Sequence, residues 1–467
     1  MRGWLAWCAV AAALTIHGSL LRAQSTSPVQ AVKGADERMK ADILVVVAHP
    51  DDEGGATPYL ARAIYDQHKR VAVVFLTRGG SGGNDYSREH GPALADIREQ
   101  EARTACAKLG ITNVWFLAGQ DTASQNVLNS LANWGHGANL EALVRIVRLT
   151  RPEVIITWLP AVFIGENHGD HQAAGVLATE AFDLASDPTA FPAQVAGASK
   201  RLEVYLENLT PWQPKKLYYF SDADDQKQFQ GTGPAYSIKE LSPSQKKSYL
   251  RLALEAALPH STQFPQAQEF EKMTEDQLKK FLDDPNNQFW PEPMTLTLGK
   301  SAVKTALTDD VFANLGLPIT EGGARGEQAP RRGESWLALG GPWFYYEAFR
   351  RAHGGSDAWR SANPPEIAVK TGSTLAIPLV VGHPGRASAE IMVTAPAGWR
   401  VANGQGRLEL QAEDRTYLMV EILTPDLNKE QLEKLAPEEV LVKASLEGKA
   451  VGEVRLKVSL KASALPQ

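Results

Sequence analysis

A cluster of one imidazole and three carboxylates directly follows an apolar run near the start of this 467-residue sequence. The run, residues 43–48, is rich in β-branched side chains and has no polar alternation, which predicts a parallel strand covered on both faces. Open α/β sheets bind their ligands just beyond the carboxyl ends of such strands. The cluster therefore lies where chemistry is expected, and its members are His49, Asp51, Asp52 and Glu53.

A second cluster follows another apolar run, residues 154–158, and its members are His168, Asp170 and His171. A divalent ion that keeps a coordination position for water takes three protein ligands, often two imidazoles and a carboxylate. If the two strands are neighbours in the sheet, the clusters can supply such a set from His49, Asp52 and one of the two later histidines. Spacing alone does not decide between His168 and His171 as the third ligand.

Asp52 also has a structural alternative, because carboxylates often cap the helix that follows a strand. Asp51 and Glu53 would then complement the dipole of that helix. A second histidine-rich cluster at a second strand end favours the metal interpretation over this alternative.

The two clusters resemble the signatures of a known family, the zinc-dependent N-acetylglucosaminyl deacetylases of the PIG-L/LmbE type. Ala-His-Pro-Asp-Asp-Glu at residues 48–53 matches the first signature, and His-Gly-Asp-His at residues 168–171 matches the His-x-Asp-His second one. The resemblance covers residues 41–355. It includes a strand-to-glycine loop at residues 76–80, an Arg-x-x-Glu helix at residues 98–110 and a helix-to-strand turn at residues 148–152. Two weaker elements follow, His-x-x-Gln at residues 260–263 and Glu-x-Phe at residues 346–349.

The resemblance implies one zinc ion (Zn2+) held by His49, Asp52 and His171. The same ligand set also suits Fe(II) (Fe2+), because three ligands of this kind do not select zinc by geometry. The expected chemistry is metal-assisted hydrolysis of an amide, in which the ion lowers the pKa of a bound water and polarises the acetyl carbonyl group.

The other members of the clusters are assigned to catalysis by the resemblance. Asp51 is expected to be the general base, which accepts the proton of the water and delivers it to the departing amine. His168 is expected to be a protonated imidazole that stabilises the oxyanion, with Asp170 holding and charging its ring. Glu53 is expected to be a structural hydrogen-bond acceptor.

Two arginines are candidates for substrate binding, because a guanidinium group offers several fixed donors to sugar hydroxyls or to an anionic group. Arg78 follows the apolar run at residues 71–76, and Arg98 lies in a helical pattern. The alternative for both residues is a structural salt bridge. We favour that alternative for Arg98, because Glu99 and Glu101 are close to it in the sequence.

The segment that carries both clusters alternates between apolar runs and helical patterns. The apolar runs lie at residues 43–48, 71–76, 113–117 and 154–158, and the helical patterns between them at 56–69, 92–109 and 138–149. This alternation predicts an α/β fold with a Rossmann-like, mostly parallel sheet flanked by helices. The later pattern of short alternating strands predicts a C-terminal β-sandwich over residues 363–462. Residues 393–399 resemble an element of the immunoglobulin-like accessory domains of secreted carbohydrate-active enzymes, which implies an immunoglobulin-like sandwich.

The first 23 residues are typical of a secretory signal peptide, with an arginine, a short apolar stretch and small residues. Residues 24–40 are predicted to be a linker and residues 41–355 the deacetylase-like domain. We expect an exported protein, periplasmic or extracellular, without a stable membrane span. The formal net charge of −6 and the lack of a long basic block argue against nucleic acid as a partner. The sequence does not specify an oligomeric state.

These features together predict an exported hydrolase that removes acetyl groups from N-acetylglucosamine-type amino sugars or their conjugates. One alternative keeps the same metal site but cleaves another amide, in a thiol conjugate or in an N-acyl group of a lipid or peptidoglycan fragment. A second alternative is a non-catalytic glycan-binding protein whose C-terminal sandwich makes the interaction. The presence of Asp51, the expected base, favours an enzyme over a binding protein.

Overall fold

The computed structural model describes nine stretches of the chain: residues 35–122, 126–160, 168–197, 206–221, 232–284, 291–320, 335–354, 366–410 and 415–461. The predicted signal peptide, residues 1–23, and the first part of the predicted linker, residues 24–34, lie outside the described residues. None of the helices in these stretches combines the length and the hydrophobicity that a bilayer span requires.

The first part of the chain forms a sheet of six strands and a two-stranded ribbon. In chain order the strands are β1 (Ile43–Val47), β2 (Val71–Thr77), β3 (Asn113–Gly119), β4 (Val154–Trp158), β5 (Lys216–Phe220), β6 (Ala235–Tyr236), β7 (Met294–Thr295) and β8 (Thr297–Ser301). The large sheet has the order β3-β2-β1-β4-β5-β8 and is parallel except for β8, which runs antiparallel to β5. The predicted mostly parallel sheet is therefore present, and β1 to β4 correspond to the apolar runs of the sequence.

Helices connect and cover these strands. They are α1 (Thr57–Tyr65), α2 (Pro92–Lys108), α3 (Val127–Trp134), α4 (His136–Thr150), α5 (Gly169–Leu184), α6 (Pro192–Val195), α7 (Tyr249–Ala257), α8 (Ala267–Glu271) and α9 (Glu275–Asp283), with short 3-10 helices at Glu37–Met39 and Asp52–Gly55. Helix α5 packs against β1, β4 and β5 and against α3 and α4. The helix that begins in the second sequence cluster is thus held against the middle of the sheet.

Strands β1 and β4 are hydrogen-bonded neighbours at the centre of the sheet. Ile43 lies opposite Val154 and Val46 opposite Thr157, so both strands end at the same edge. Every residue of both strands is buried, as expected for central strands covered on both faces. The two sequence clusters follow these two strands, which places them side by side at the carboxyl edge of the sheet.

A buried arginine fixes the far end of α5. Arg148 on α4 is fully buried and donates through Nε to the carbonyl oxygen of Ala185 at 3.1 Å and through Nη2 to that of Asp187 at 2.7 Å. Its Nη1 donates to the side-chain oxygen of Gln194 at 3.0 Å. The last carbonyl groups of a helix have no partners within the helix, and this guanidinium group supplies donors to them and to the turn that follows. The interaction holds α5, and with it the second cluster, against α4.

The last part of the chain forms two further sheets. Their strands are β9 (Trp336–Leu339), β10 (Glu366–Lys370), β11 (Thr374–Gly382), β12 (Ala387–Thr394), β13 (Arg400–Asn403), β14 (Gly406–Leu410), β15 (Arg415–Leu423), β16 (Glu438–Leu446) and β17 (Lys449–Lys461), accompanied by helices α10 (Gly341–Ala352) and α11 (Lys429–Glu433). One sheet has the order β10-β17-β16-β12-β14 and the other the order β13-β15-β11-β9. Residues of both sheets share one apolar core, so this region is a β-rich domain of two packed sheets.

Strand β9 precedes the other strands of the β-rich domain in the sequence but is part of one of its sheets. It pairs antiparallel with β11, with Leu339 opposite Leu379, although it lies within residues 41–355, the range predicted for the first domain. The next element, α10, buries Tyr346 and Phe349 in the core of the first domain. Residue 355, the predicted end of the first domain, therefore follows a strand that is hydrogen-bonded to the β-rich domain.

Helix α10 contacts both parts of the chain. The ring of Phe344 stacks on Trp336 of β9 with a centroid distance of 5.9 Å. The guanidinium carbon of Arg415, on β15, lies 5.1 Å from the centroid of the same ring. Toward the first domain, the hydroxyl of Tyr346 donates to the side-chain oxygen of Gln172 on α5. This helix thus connects the β-rich domain to the helix that carries the second cluster.

We expect Arg148→Met to lower the free energy of unfolding by roughly 3 kcal/mol or more, because several buried carbonyl groups lose their donor and each unpaired group costs about 1–3 kcal/mol. Chemical denaturation of the purified protein measures this change. Arg103→Met is the control, since Arg103 is an exposed residue of α2 paired with Glu99, and its loss is expected to cost less than about 1 kcal/mol. Equal effects of the two substitutions would contradict the role assigned to Arg148.

Candidate metal centre

The carboxylate of Asp52 is heavily hydrogen-bonded at the edge of the sheet. Its Oδ2 accepts from the backbone N–H of Ala48 at 2.9 Å and of His49 at 2.8 Å, and from the indole Nε1 of Trp158 at 2.9 Å. Asp52 therefore folds back onto the end of β1 instead of capping the helix that follows. Its other oxygen, Oδ1, lies 3.1 Å from Nε2 of His171, so the two sequence clusters meet through this side chain.

The structure brings together the three residues predicted as metal ligands. Nδ1 of His49 lies 3.5 Å from Oδ2 of Asp52, and the rings of His49 and His171 are 5.2 Å apart between centroids. The indole of Trp158 stacks on the ring of His171 at 4.0 Å with an interplanar angle of 5°. One nitrogen from each of His49, His168 and His171 also lies within 4.8 Å of the others. The distances by themselves thus permit either later histidine as a ligand.

The charges of these buried groups depend on one another. Burial lowers the pKa of His49, but the carboxylates around it, with Asp52 first, outweigh burial and hold this pKa well above its ordinary value. Burial raises the pKa of Asp52, but His171 and His49 outweigh it and hold that pKa well below its ordinary value. Metal binding requires deprotonated ligands, so a divalent cation can replace the protons that neutralise this centre. A donor set of imidazole nitrogens and carboxylate oxygens fits zinc or Fe(II).

Asp121 belongs to neither sequence cluster but lies against the other side of the His49 ring. It comes two residues after β3, and its Oδ1 is 3.1 Å from Nε2 of His49. Its Oδ2 accepts from the backbone N–H of Ser81 at 2.7 Å. Burial raises the pKa of Asp121, but the interaction with His49 outweighs burial and lowers it. The position beyond the carboxyl end of a third parallel strand is the signal in the sequence that could have identified this residue.

The carboxylate of Asp170 contacts the ring of His49, which was not expected from the sequence. Its Oδ2 lies 3.4 Å from Nε2 of His49, and its two oxygens accept from the backbone N–H and the hydroxyl of Thr122 at 2.8 and 2.9 Å. Asp170 contacts His168 through its backbone N–H, which donates to Nδ1 at 3.3 Å. The charge of Asp170 acts to raise the pKa of His168, as expected, although other causes outweigh it, and the role of this carboxylate in holding the His168 ring stays a prediction. His168 precedes α5 as its N-cap, whereas Asp170 lies in the first turn, so the two side chains leave the backbone in different directions.

His168 is a neutral imidazole in this structure. Burial, followed by the neighbouring rings of His171 and His49, lowers its pKa to about 4. Because Nδ1 accepts the N–H of Asp170, the proton of the neutral ring is on Nε2. With this pKa, His168 offers one N–H donor and no positive charge near neutral pH, whereas the resemblance implies a protonated ring.

Asp51 has a backbone conformation that is unfavourable for a residue with a side chain. Its φ is 100° and its ψ −26°, and residues in such regions cluster at functional sites. Its Oδ1 accepts from Nη2 of Arg98 at 3.0 Å, and Arg98 also donates to the carbonyl oxygens of Pro50 and Gly79. Burial raises the pKa of Asp51, the charge of Arg98 opposes this, and the resulting value is about 6.

The two arginines predicted as candidates for substrate binding differ in their positions. Arg98 lines the cavity at the centre, but its guanidinium group holds Asp51 and not an acidic neighbour on its own helix. Arg78 pairs with Asp96 and, at 2.7 Å, with Glu99, and it is not among the described residues that line the cavity. Arg98 thus has a structural role in the site, and a substrate contact by either residue stays a prediction.

Glu53 connects the first cluster to a later part of the chain. Its Oε2 accepts from the backbone N–H of Asp51 at 3.0 Å, and its Oε1 lies 2.7 Å from Nε2 of His260. Burial lowers the pKa of His260, but the surrounding carboxylates, with Glu53 first, together outweigh burial and raise this pKa. Glu101 of α2 fixes the same turn by accepting from the hydroxyl of Thr262 at 2.6 Å. The geometry agrees with the expected role of Glu53 as a structural acceptor.

These groups line a cavity of about 730 Å³, a volume typical of sites for small ligands. One wall contains the polar groups described above, together with the glycine loop at residues 81–83 and Gln263. The other wall is apolar and is formed by α2, α7 and neighbouring loops. The cavity therefore offers an ion-binding centre, a carboxylate with a raised pKa and a neutral N–H donor to one bound molecule.

Residues 44–182 match the family model of PIG-L, GlcNAc-PI de-N-acetylase. These residues form a PIG-L domain. The match includes both clusters, strands β2 to β4 and all of β1 except its first residue. It confirms, over residues 44–182, the resemblance drawn from the sequence.

Named relatives match part of the chain. The chain is 35% identical over 188 residues to 1D-myo-inositol 2-acetamido-2-deoxy-alpha-D-glucopyranoside deacetylase 1 of Frankia alni, which covers 37% of this chain and 59% of that protein. It is 31% identical over 195 residues to the 1D-myo-inositol 2-acetamido-2-deoxy-alpha-D-glucopyranoside deacetylase of Streptomyces avermitilis. That alignment covers 38% of this chain and 60% of that protein. The chain thus spans about three fifths of the length of these relatives.

A solved structure of N,N'-diacetylchitobiose deacetylase from Pyrococcus horikoshii aligns with 55% of this chain and 84% of that one, at 17% identity and a TM-score of 0.37. A similarity of this size supports no conclusion about the substrate.

We expect Trp158→Phe to weaken zinc binding by about 10- to 100-fold, because it removes the N–H donor to Asp52 but leaves a ring that can stack on His171. Competition with a chelator measures the zinc affinity of the purified protein. The matched control is Trp212→Phe, since Nε1 of Trp212 donates to the carbonyl oxygen of Pro152 at 2.7 Å, outside the centre. If both variants bind zinc as tightly as the parent protein, Asp52 does not depend on the indole.

Proposed function

We propose that this protein is a metal-dependent deacetylase that acts on N-acetylglucosamine-type amino sugars or their conjugates. The observation that carries the proposal is that the carboxylate of Asp51 lines the same cavity as His49, Asp52 and His171, the three residues that we propose as metal ligands. The PIG-L domain and the deacetylase names of the relatives support an N-acetylated sugar as the substrate. Amide hydrolysis by a metal-bound water needs these two components together.

Zinc is the metal that we propose, with His49, Asp52 and His171 as its ligands. Bound there, it would supply a water of lowered pKa and a positive charge beside the acetyl carbonyl group. Oδ1 is the ligating oxygen of Asp52 in this proposal, since Oδ2 already accepts three hydrogen bonds. The same donor set would hold Fe(II), and metal analysis of the purified protein distinguishes the two ions.

Asp51 is the general base in this mechanism. A carboxylate with a pKa of about 6 is deprotonated at neutral pH and still accepts a proton readily, which is the property required of such a base. Arg98 holds Oδ1, so Oδ2 is the oxygen that we assign to the proton of the attacking water. The same oxygen then delivers the proton to the amine nitrogen as it leaves.

His168 is the residue that we assign to the oxygen of the acetyl group. Its Nδ1 is fixed by the backbone N–H of Asp170, so its Nε2–H is the donor available to the negative charge that develops on that oxygen. A neutral donor held in place before the reaction stabilises such charge without reorganisation. Asp170 and Asp121 keep the ring of His49 in position on the opposite side of the centre.

We further propose that the protein is exported and that its two C-terminal sheets form an immunoglobulin-like accessory module. The signal-like pattern of the first 23 residues supports export. The apolar core shared by the two sheets supports a sandwich. Amino-terminal sequencing of protein recovered from outside the cytoplasm tests the first part of this proposal.

Asp51→Asn is expected to reduce the release of acetate from N-acetylglucosamine conjugates by about 10²- to 10⁴-fold, because the base is lost. Its zinc content is expected to stay at that of the parent protein, as measured by elemental analysis. Asp52→Asn, one residue further on, is expected to lose the metal as well as the activity. Full activity of Asp51→Asn would exclude Asp51 as the base.

Arg98→Met is expected to move the acidic limb of the pH profile of kcat/KM to higher pH. The positive charge of Arg98 lowers the pKa of Asp51, so its removal raises that pKa, and a higher pH is then needed to deprotonate the base. Acetate release measured over a pH series checks the direction. Arg103→Met on the same helix is expected to keep the profile of the parent protein, and an identical limb in both variants would show that Asp51 does not set it.

A further inference from the structure

We infer that the cavity extends from the metal centre into an apolar lobe that binds a hydrocarbon group of the substrate. This inference rests on the proposed deacetylase function and adds a chemical property of the substrate to it. The lobe is lined by apolar side chains from two helices and one loop: Ala105, Cys106, Leu109, Ala253, Ala256 and Phe264.

Helix α2 leads from the polar wall of the cavity to the lobe. Arg98, which holds the loop of the base, shares one face of the helix with Ala105 and Leu109, because seven and eleven residues are close to whole numbers of turns. Cys106 lies eight residues after Arg98, about 12 Å further along the helix. The charge of Glu53, in addition to burial, raises the pKa of the Cys106 thiol. The lobe therefore begins beside the loop that carries the first cluster.

Helix α7 and the turn after it also connect the lobe with the polar wall of the cavity. Ala253 and Ala256 are three residues apart on one face, and His260 continues this spacing in the turn after the helix. All three residues line the cavity, and His260 lies 2.7 Å from the carboxylate of Glu53. Helices α2 and α7 contact each other. Their apolar faces thus enclose the lobe, and the turn after α7 contacts Glu53 through His260.

The small size and the chemistry of the lining side chains favour an apolar occupant. The alanine side chains that line the cavity on both helices are small, and apolar walls give water no hydrogen-bond partners. Protein interiors are otherwise packed with few voids larger than a water molecule, and a cavity lowers stability in proportion to its volume. A hydrocarbon group that fills the lobe reverses this loss and gains roughly threefold to fourfold in affinity per methylene group buried.

Two parts of an amino-sugar substrate could carry such a group. One is an acyl chain longer than acetyl on the sugar nitrogen, and the other is an alkyl or acyl chain in the aglycone. The experiment therefore compares kcat/KM within two pairs of substrates. The first pair is N-acetyl- and N-octanoyl-glucosamine, and the second is the methyl and octyl β-glycosides of N-acetylglucosamine.

We expect the octanoyl or the octyl member of one pair to have a kcat/KM at least tenfold higher than its short-chain partner. Ala105→Leu fills the lobe and is expected to reduce this ratio to less than twofold. Ala107→Leu places the same side chain on the exposed face of α2 and is expected to keep the ratio of the parent protein. Ala256→Val serves as a second, smaller obstruction if Ala105→Leu fails to fold, and is expected to lower the ratio in the same direction.

Binding of the same compounds to the zinc-loaded Asp51→Asn variant by calorimetry gives a measurement that does not depend on turnover. A preference for the long chain that Ala105→Leu abolishes supports the lobe, and the pair in which it appears identifies the source of the chain. Turnover of the N-acetyl compounds without any long-chain preference overturns the lobe and leaves the deacetylase proposal in place. Lack of turnover of every compound overturns the deacetylase proposal, and the calorimetric comparison then decides for or against the lobe by itself.

Discussion

The three hydrogen bonds to one oxygen of Asp52 are the constraint on which the rest of the site depends. A buried carboxylate is unstable unless donors or cations compensate its charge, and here two backbone N–H groups at the end of β1 and the indole of Trp158 at the end of β4 do so. The arrangement requires the parallel pairing of the two strands in the register observed. A shift of one residue would turn Trp158 to the other face of the sheet. The direction of the second oxygen toward His171 is thus a consequence of strand pairing.

Much of the fold and part of the site could be predicted from the sequence, because both depend on local patterns. The β-branched runs before His49 and His168 indicate central parallel strands, and the residues after such strands meet at one edge. Asp121 and His260 were not predicted as parts of the centre, because each is a single polar residue whose role depends on distant contacts. The contact of the Asp170 carboxylate with His49 was not predicted, for a local reason. Closeness in sequence does not imply a shared direction where a helix begins.

The glycine loop after β2 has a physical explanation in the path of Arg98. A Cβ atom on Gly79, whose φ is +67°, would lie 2.5 Å from Nη1 of Arg98, and one on Gly82 would lie 2.7 Å from the same atom. The missing side chains let the guanidinium group reach the loop of Asp51 from α2. The same helix fixes the turn after α7 through Glu101. One helix thus aligns two segments of the cavity wall that are far apart in the sequence.

The interleaving of β9 and α10 with the β-rich domain limits how this chain can be divided or recombined. A fragment that ends at residue 355 would keep β9 without β11, and an unpaired edge strand is a template for aggregation. A fragment that starts at residue 363 would lack β9 and would expose the face of the sheet on which Phe344 packs. Exchange of the C-terminal module between related proteins therefore preserves the fold only when the crossover lies before Trp336, so that the strand and the helix are inherited with the sheets that they complete.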